Sequence, residues 1–525
     1  MGRLGHRVGE NQKGSNGRRR AAFGAARVTL LAIFAVSRIA YYAAGLRFDD
    51  SPIRADWQII DPVLMRTDLA RSLWYLHMQP PGFNAWIGLC VKLFPYRYGT
   101  VLWAQQIVMG AIAALCLLEL LRWFRAPSLW ALALAALFVV SPACVLFEDK
   151  ATYEYCNLFL VLTAAVALTR FCDTLQKRWS LAFFGSLLLL AMIRNSFHLV
   201  YLIAVGGAVW WLFPKGRKAT LVGLVPLLAV TAGLYVKNLI LFGQFTPSTW
   251  TGMQTGFVTS YQLTAQEADD LVREGLAHPV ARISPFSDLR EYDAYIRRPA
   301  RTGIPVLDEE RTSTGYANYN NLAYLQVHKL YLANAWKLWR RRPVVAVRAL
   351  ARAWFSYFLP AEDLPYGFRE RRAILEPWVR GFDAIVFGQL RHVTDRGELY
   401  ALLQSKGWAG VVWYTGAFLI VLIPAVTIWC AMQILVDRYR KRWTREQLAV
   451  LGFMLFTIVF LALLYNTLAT SENNRTRFPV DPYFVVLLGV MVFGRRPKYS
   501  SATAPSGRGP EARETAARPC ERVKK

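Results

Sequence analysis

Two adjacent aspartates, Asp49 and Asp50, lie where the first long apolar segment gives way to a polar loop. They precede Ser51 and Pro52, so the sequence predicts a loop position at a membrane surface. A carboxylate there could accept a proton from an incoming hydroxyl as a general base, or bind a divalent cation. A solvated pair of loop carboxylates is the alternative, and no strict ligand spacing requires a metal ion.

The same loop runs into a turn in which His77 and Gln79 precede two prolines. Pro81 is well placed to open a short helix over residues 82–94, because proline suits the first turn of a helix. The free N–H groups at the start of that helix, together with His77 and Gln79, predict a binding site for phosphate. A rigid turn with a packed histidine is the alternative.

Two cations, Arg475 and Arg477, come two positions apart just before the last apolar segment. Guanidinium groups match phosphate oxygens bidentately, so the pair predicts a contact to a phosphate carried by a lipid. Ordinary anchoring to lipid headgroups is the alternative.

Arg194 and His198 interrupt another apolar stretch. Charged groups at that depth are costly unless they are paired, which predicts a cavity or an acidic partner such as Glu148 or Asp149. A role in donor-phosphate binding and a purely structural ion pair both stay open.

The elements that must position these residues are membrane helices. Of the 525 residues 54% are hydrophobic, with 18 Trp, 24 Tyr and 30 Phe, which fits several spans flanked by aromatic belts. The net charge of +27 is spread over short clusters between apolar segments, which argues against a nucleic-acid partner. The seven cysteines follow no disulfide or metal spacing.

We predict an all-α polytopic membrane protein with about ten transmembrane helices. Two of these fall within residues 180–213, around Arg194. The other eight segments are 21–45, 100–121, 128–147, 156–171, 219–241, 408–434, 447–468 and 480–494. If the N-terminus is cytoplasmic, every inner segment is basic, as the positive-inside rule requires. Every polar motif described above then falls on the external side.

The predicted organisation has five parts. They are a basic cytoplasmic N-terminus at 1–20, a membrane module at 21–241 with a first external loop at 46–99, an external helical segment at 242–405, C-terminal membrane helices at 406–494 and a basic disordered cytoplasmic tail at 495–525. Residues 343–360 are apolar but carry Arg348 and Arg352 at helical spacing, which favours an interfacial or re-entrant helix over a span.

The motifs are similar to those of integral-membrane glycosyltransferases of the GT-C class, which include protein O-mannosyltransferases and lipid A aminoarabinose transferases. The matching pieces are FDD at 48–50, the helix predicted after Asp61, and LHMQPPGFN at 76–84. RNSFHL at 194–199 and ENNRTRFPVDP at 472–482 look like segments of uncharacterised bacterial members of that class.

The resemblance implies a GT-C-like fold and a role for each motif. The implied roles are a catalytic base from Asp49 or Asp50, a second acidic group from Glu148 or Asp149, and donor-phosphate ligands from Arg475 and Arg477. The chain departs from the mannosyltransferases in having two adjacent aspartates in place of an Asp-Glu pair. The identity of the base therefore stays open.

The expected function is transfer of a sugar, with inversion, from a polyprenyl-phosphate donor to a hydroxyl of an external glycan, lipid or protein. The expected location is the bacterial inner membrane, with both termini in the cytoplasm and membrane lipids as partners. A divalent metal ion stays open as a cofactor. Two alternatives also stay open: a transporter or flippase for a lipid-linked sugar, and a non-catalytic subunit of an envelope polysaccharide complex.

Overall fold

The computed structural model describes residues 3–56, 58–363, 369–386, 388, 417–440, 443–469 and 472–493. Within these ranges the chain is almost entirely helical, and its β-pairing is limited to two isolated bridges. The α-helices are Arg3–Ala43, Pro52–Ala55, Pro62–Thr67, Leu69–Trp74, Gly82–Leu93, Tyr98–Trp123, Ser128–Val139, Pro142–Glu148, Tyr153–Thr174, Lys177–Ile193, Leu199–Leu212, Arg217–Phe242, Thr251–Phe257, Ala265–Arg273, Pro305–Asp308, Tyr324–Arg341, Pro343–Tyr357, Arg369–Ile374, Glu376–Val386, Ala417–Arg440, Arg445–Leu468, Asn473–Arg477 and Asp481–Phe493. Short 3-10 helices lie at Pro214–Gly216, Ser260–Gln262, Pro279–Arg282, Leu289–Tyr292 and Phe478–Val480.

Several of the described helices are long and apolar enough to cross a membrane. There are seven: Ala22–Ala43, Tyr98–Trp123, Tyr153–Thr174, Pro214–Phe242, Leu419–Val436, Arg445–Leu468 and Asn473–Phe493. A bent pair of helices makes an eighth if the pair counts as one span. The prediction of an all-α, multi-pass membrane protein is confirmed, whereas the count of about ten spans is not.

Ser141 and Pro142 break the span predicted at 128–147. The Ser141 hydroxyl accepts a hydrogen bond from the Cys144 N–H at 3.3 Å and caps a new helix, bent by 54° from the one before it. Serine before proline is a typical start of a helix. The new helix ends at Glu148, directly before the residues that meet the first loop.

The stretch 180–213 forms two helices, Lys177–Ile193 and Leu199–Leu212, joined by a turn at residues 194–198. They have 17 and 14 residues, fewer than the roughly 20 that a full span needs. This shortness explains part of the difference between the predicted and observed numbers of spans.

The first loop and the segment that begins at residue 242 share one hydrophobic core. Met65, Leu76 and Ile87 of the loop are buried together with Val327 and Tyr331. A larger core joins the membrane helices. We call the end of the membrane helices that carries the smaller core the loop face.

The helix Pro343–Tyr357 has 15 residues and is too short to span a membrane. Its two arginines contact polar residues of the preceding segment: Arg348 lies 3.7 Å from Glu267, and Arg352 donates to Gln262 at 2.7 Å. At the other end of the chain, the first helix starts at Arg3 and continues into the first span. The predicted tail at 495–525 and residues 389–416 lie outside the described residues.

Candidate functional site at the loop face

Asp49 joins the first loop to the turn that follows the bent helix pair. Its N–H donates to the Asp149 carbonyl at 2.8 Å, and its own carbonyl accepts from the Ala151 N–H at 2.9 Å. The carboxylate lies 3.6 Å from the Lys150 ammonium and 3.9 Å from the Arg371 guanidinium. Asp49 is therefore bracketed by two cations.

Asp50 faces a different partner. Its carboxylate accepts from Arg54 at 2.9 Å within the helix Pro52–Ala55, and 31% of its side chain is exposed. A methyl group on Gly99 would lie 2.9 Å from its second oxygen, so the next span passes directly beside it. The two adjacent aspartates thus have separate environments.

Four residues from three distant segments form what we call the arginine–tyrosine cluster: Tyr153, Glu154, Arg194 and Arg475. Arg475 donates to the buried carboxylate of Glu154 at 2.7 Å and to the Tyr153 hydroxyl at 3.4 Å. The Arg194 guanidinium lies over the Tyr153 ring, 4.2 Å from its centroid, as in a cation–π contact. Two guanidinium groups therefore share one tyrosine.

Arg194 also ties the cluster to the first loop and to a later span. It donates to the Tyr465 hydroxyl at 3.2 Å and approaches the Gln58 amide oxygen at 3.5 Å. Tyr465 in turn donates to the Ser196 hydroxyl at 2.7 Å. The partners of Arg194 are thus aromatic and amide groups. Neither Glu148 nor Asp149, the two acids named as examples of a partner, pairs with Arg194; the acid whose charge acts on Arg194 is Glu154.

Asp56 lies in the first loop two residues before Gln58, whose amide oxygen approaches Arg194 at 3.5 Å. It is half-buried, and one of its oxygens accepts the Gln58 N–H at 2.8 Å. Burial raises the pKa of Asp56, while the nearby charges of Arg475 and Lys150 oppose that rise. A carboxylate with a raised pKa is a better proton acceptor. Sequence reasoning assigned no role to Asp56, because the charges that act on it belong to Lys150 and Arg475, which are far away in the chain.

Glu148 and Asp149, the two candidates for the second acidic group, have different surroundings. Glu148 is fully buried and accepts two hydrogen bonds from Arg38, both at 2.7 Å, and a third from Tyr155. Sequence reasoning missed Arg38, although a lone arginine inside an apolar span is itself a signal of pairing. Asp149 has a pKa raised to about 6 by burial and by the charge of Glu148. Of the two residues, Asp149 is the one joined to Asp49, because its carbonyl accepts the Asp49 N–H at 2.8 Å.

His77 is buried and engaged on both ring nitrogens. Nδ1 lies 2.8 Å from the Thr249 hydroxyl, and Nε2 lies 2.8 Å from the Asn320 carbonyl. Because a carbonyl only accepts, Nε2 carries the proton, and burial lowers the pKa of His77 to about 3. This geometry favours the packed histidine over the phosphate ligand: His77 fastens the first loop to the segment after residue 242.

The start of the following helix, where a phosphate site was predicted, lies against a backbone carbonyl group. The helix forms as expected, at Gly82–Leu93, with Gln79 buried before it. A methyl group on Gly82 would lie 2.7 Å from the Met192 carbonyl oxygen. A carbonyl so close to the helix start disfavours an anion there.

Arg477 and His198 lie apart from the cluster. Residues 473–477 form a helical turn, so residues two positions apart point to nearly opposite sides. Arg477 donates to Asp481 at 2.7 Å and to the Tyr357 carbonyl, whereas Arg475 points to Glu154. His198 lies 3.4 Å from the Tyr235 hydroxyl, and burial lowers its pKa.

The predicted site residues therefore divide into a group at the cluster and a group elsewhere. Arg194 and Arg475 belong to the cluster with the unpredicted Tyr153 and Glu154, whereas Asp49 and Asp149 meet at the turn shortly before Tyr153 in the chain. Asp50, His77, Gln79, Glu148, His198 and Arg477 have other surroundings. Among the described residues no group of three His, Cys, Asp or Glu side chains is arranged to hold a metal ion.

The described fold and this site define a multi-pass, α-helical membrane protein with a charged and aromatic cluster at one end of its spans. No family model, no curated protein and no solved structure matches the chain. The similarity to GT-C glycosyltransferases remains a prediction that rests on the sequence motifs.

Proposed function

We propose that this protein is a membrane glycosyltransferase that takes a sugar from a polyprenyl-phosphate donor and passes it to an acceptor hydroxyl on the external face of the membrane. The observation that carries the proposal is the pairing of Arg194 and Arg475 around Tyr153, with the Asp56 carboxylate linked to Arg194 through Gln58: it accepts the Gln58 N–H, and the Gln58 amide oxygen lies 3.5 Å from Arg194. Cations and a proton acceptor in one place at the end of membrane spans suit a donor whose phosphate lies at headgroup level.

The reaction follows from the charges at the cluster. The bond between the sugar C1 atom and the phosphate oxygen breaks, and the negative charge of the departing phosphate is stabilised by Arg194 and Arg475. The acceptor oxygen forms the new bond to C1 from the opposite side, which inverts the anomeric centre. Its proton passes to Asp56, and Glu154 keeps Arg475 in position.

Asp49 is the other candidate for the base, as the sequence motifs imply. Its carboxylate is already engaged by Lys150 and Arg371, whereas Asp56 is half-buried with a raised pKa. We therefore assign the proton transfer to Asp56 and a positioning role to Asp49, whose backbone holds the turn at Lys150. In the proposed orientation both termini are cytoplasmic, in a bacterial inner membrane.

The test is transfer of radiolabelled sugar from a panel of polyprenyl-phosphate sugars by the purified protein in liposomes. Asp56→Asn should lower the rate by about 10²–10⁴-fold, the usual contribution of a general base. Asp68→Asn, in the same loop and outside the cluster, is the matched control. A normal rate in Asp56→Asn with a loss in Asp49→Asn would move the base to Asp49. Donor that crosses the bilayer without cleavage would instead indicate a transporter.

A further inference from the structure

One helix at the loop face leaves an apolar stripe uncovered. Along Pro343–Tyr357 and just past its end, a set of apolar side chains recurs at spacings of three and four residues and is half-exposed or exposed: Val344, Val347, Ala351, Trp354 and Phe358. This spacing keeps all five on one face of the helix. Val344 and Val347 are 65% and 62% exposed.

The opposite face of the same helix is buried against the protein. Val345, Ala349 and Ala353 are buried there. At the end of the helix the Tyr357 carbonyl accepts from Arg477, and the Ser356 hydroxyl lies 3.4 Å from Asn473. These contacts attach the helix to the residues that open the last span. The apolar stripe therefore starts at the boundary of the membrane helices.

The charged side chains of the helix stay out of the stripe. Arg348 and Arg352 lie to one side and are engaged by Glu267 and Gln262. A stripe without charge, next to membrane spans and exposed at Val344, Val347 and Ala351, is typical of a helix in the plane of the lipid interface. An exposed stripe of this kind in water would be unfavourable.

A basic pocket lies at the far end of the stripe. A cavity of about 300 Å³ is lined by Gly275, Leu276, Trp336, Lys337, Arg340 and Arg341. Three cations and an indole line it, and no acidic side chain does. Glu274, which directly precedes the lining residue Gly275, lies 3.6 Å from the neighbouring Arg342. The indole of Trp336 is 54% exposed.

We propose that the helix Pro343–Tyr357 lies in the lipid interface and that the pocket at Trp336, Lys337, Arg340 and Arg341 binds the phosphate headgroup of an anionic phospholipid. Arginine matches phosphate oxygens bidentately, and an amphipathic tryptophan is favoured at the headgroup level. Val344 and Val347, directly after the basic residues, then enter the acyl region beside the same lipid. This inference does not depend on the transfer reaction.

The test places a cysteine at Val344 and labels it with an environment-sensitive fluorophore in the full-length protein. The protein is reconstituted into nanodiscs of phosphatidylcholine, alone or with phosphatidylglycerol, that contain lipids brominated near the headgroup. Ile240→Cys, 75% exposed on a membrane helix, is the bilayer control, and the exposed Glu309→Cys is the aqueous control. Label on the native cysteines is measured in the unmutated protein and subtracted.

We expect quenching at Val344→Cys close to that of Ile240→Cys, and stronger with phosphatidylglycerol. Arg340→Ala with Arg341→Ala should remove the increase caused by phosphatidylglycerol. Arg348→Ala with Arg352→Ala removes the same charge outside the pocket and should keep it. Quenching at the level of Glu309→Cys would overturn the interfacial helix. The headgroup site would be overturned if phosphatidylglycerol did not change the quenching, either in the parent protein or in the two double variants.

Discussion

Arg475 donates to the Glu154 carboxylate at 2.7 Å, across 321 positions of sequence. The pair joins the start of the last span to the start of the span Tyr153–Thr174, and Glu472 accepts from the same guanidinium at 3.1 Å. One contact thus fixes both the packing of two spans and the position of a cation at the proposed donor site.

Replacing Arg475 by alanine should destabilise the protein by about 3–5 kcal/mol, because Glu154 would be left buried without its partner. Arg475→Met combined with Glu154→Gln should recover most of the stability, since no charge is left unpaired, but should not recover transfer. Thermal unfolding in detergent and the liposome assay measure the two effects separately. Full transfer in the folded double variant would remove Arg475 from the donor site.

Arg477 should behave differently from Arg475, although both were predicted to bind phosphate. Arg477 is buried and holds Asp481 and the Tyr357 carbonyl, so Arg477→Ala should lower the unfolding temperature. In the fraction that remains folded, we expect the KM for the lipid-linked donor to stay within about twofold of that of the unmutated protein, a change below ~0.5 kcal/mol. Arg475→Lys serves as the comparison and should raise that KM. A raised KM in both variants would support the original paired assignment.

Gly110 packs against the buried ion pair of Arg38 and Glu148. A methyl group there would lie 2.5 Å from a carboxylate oxygen of Glu148 and against the Tyr155 hydroxyl. Gly110→Ala should therefore destabilise by about 1–3 kcal/mol through overpacking. Gly185→Ala is the matched control, because it too lies in a helix but has no atom within 4 Å of the added methyl. Equal unfolding temperatures for the two variants would contradict this packing.

The free energy of unfolding should fall as the pH falls below about 6.5, the pKa of an ordinary histidine. The pKa of His77 is lowered to about 3 and that of His328 to about 4, both chiefly by burial. The unfolded chain takes up these protons near pH 6.5, while the folded protein does not, so unfolding is favoured between those values. The expected slope is up to ~1.4 kcal/mol per pH unit for each histidine. His77→Gln should reduce the slope, and an unchanged slope would contradict the assignment.

The membrane character of the chain and several helix boundaries could be predicted because they depend on local signals. A long apolar run forms a span wherever it lies, and proline after an aspartate or serine opens a helix, as at Pro62 and Pro142. The alternation of spans also predicts that the polar motifs lie on one side of the membrane. Arg194 and Arg475 were identified in this way, as conspicuous cations beside apolar segments.

The choice of partners could not be predicted, because each pairing depends on how distant segments pack. Nothing near Arg38 in the chain indicates Glu148, and nothing near His77 indicates Asn320. The helical turn at residues 473–477 separates two arginines that look equivalent in sequence. Sequence alone determined a multi-pass helical protein with its conspicuous polar residues between the apolar segments. Only the tertiary structure decided which carboxylate meets the arginines, because burial and the facing charges arise when segments hundreds of residues apart come together.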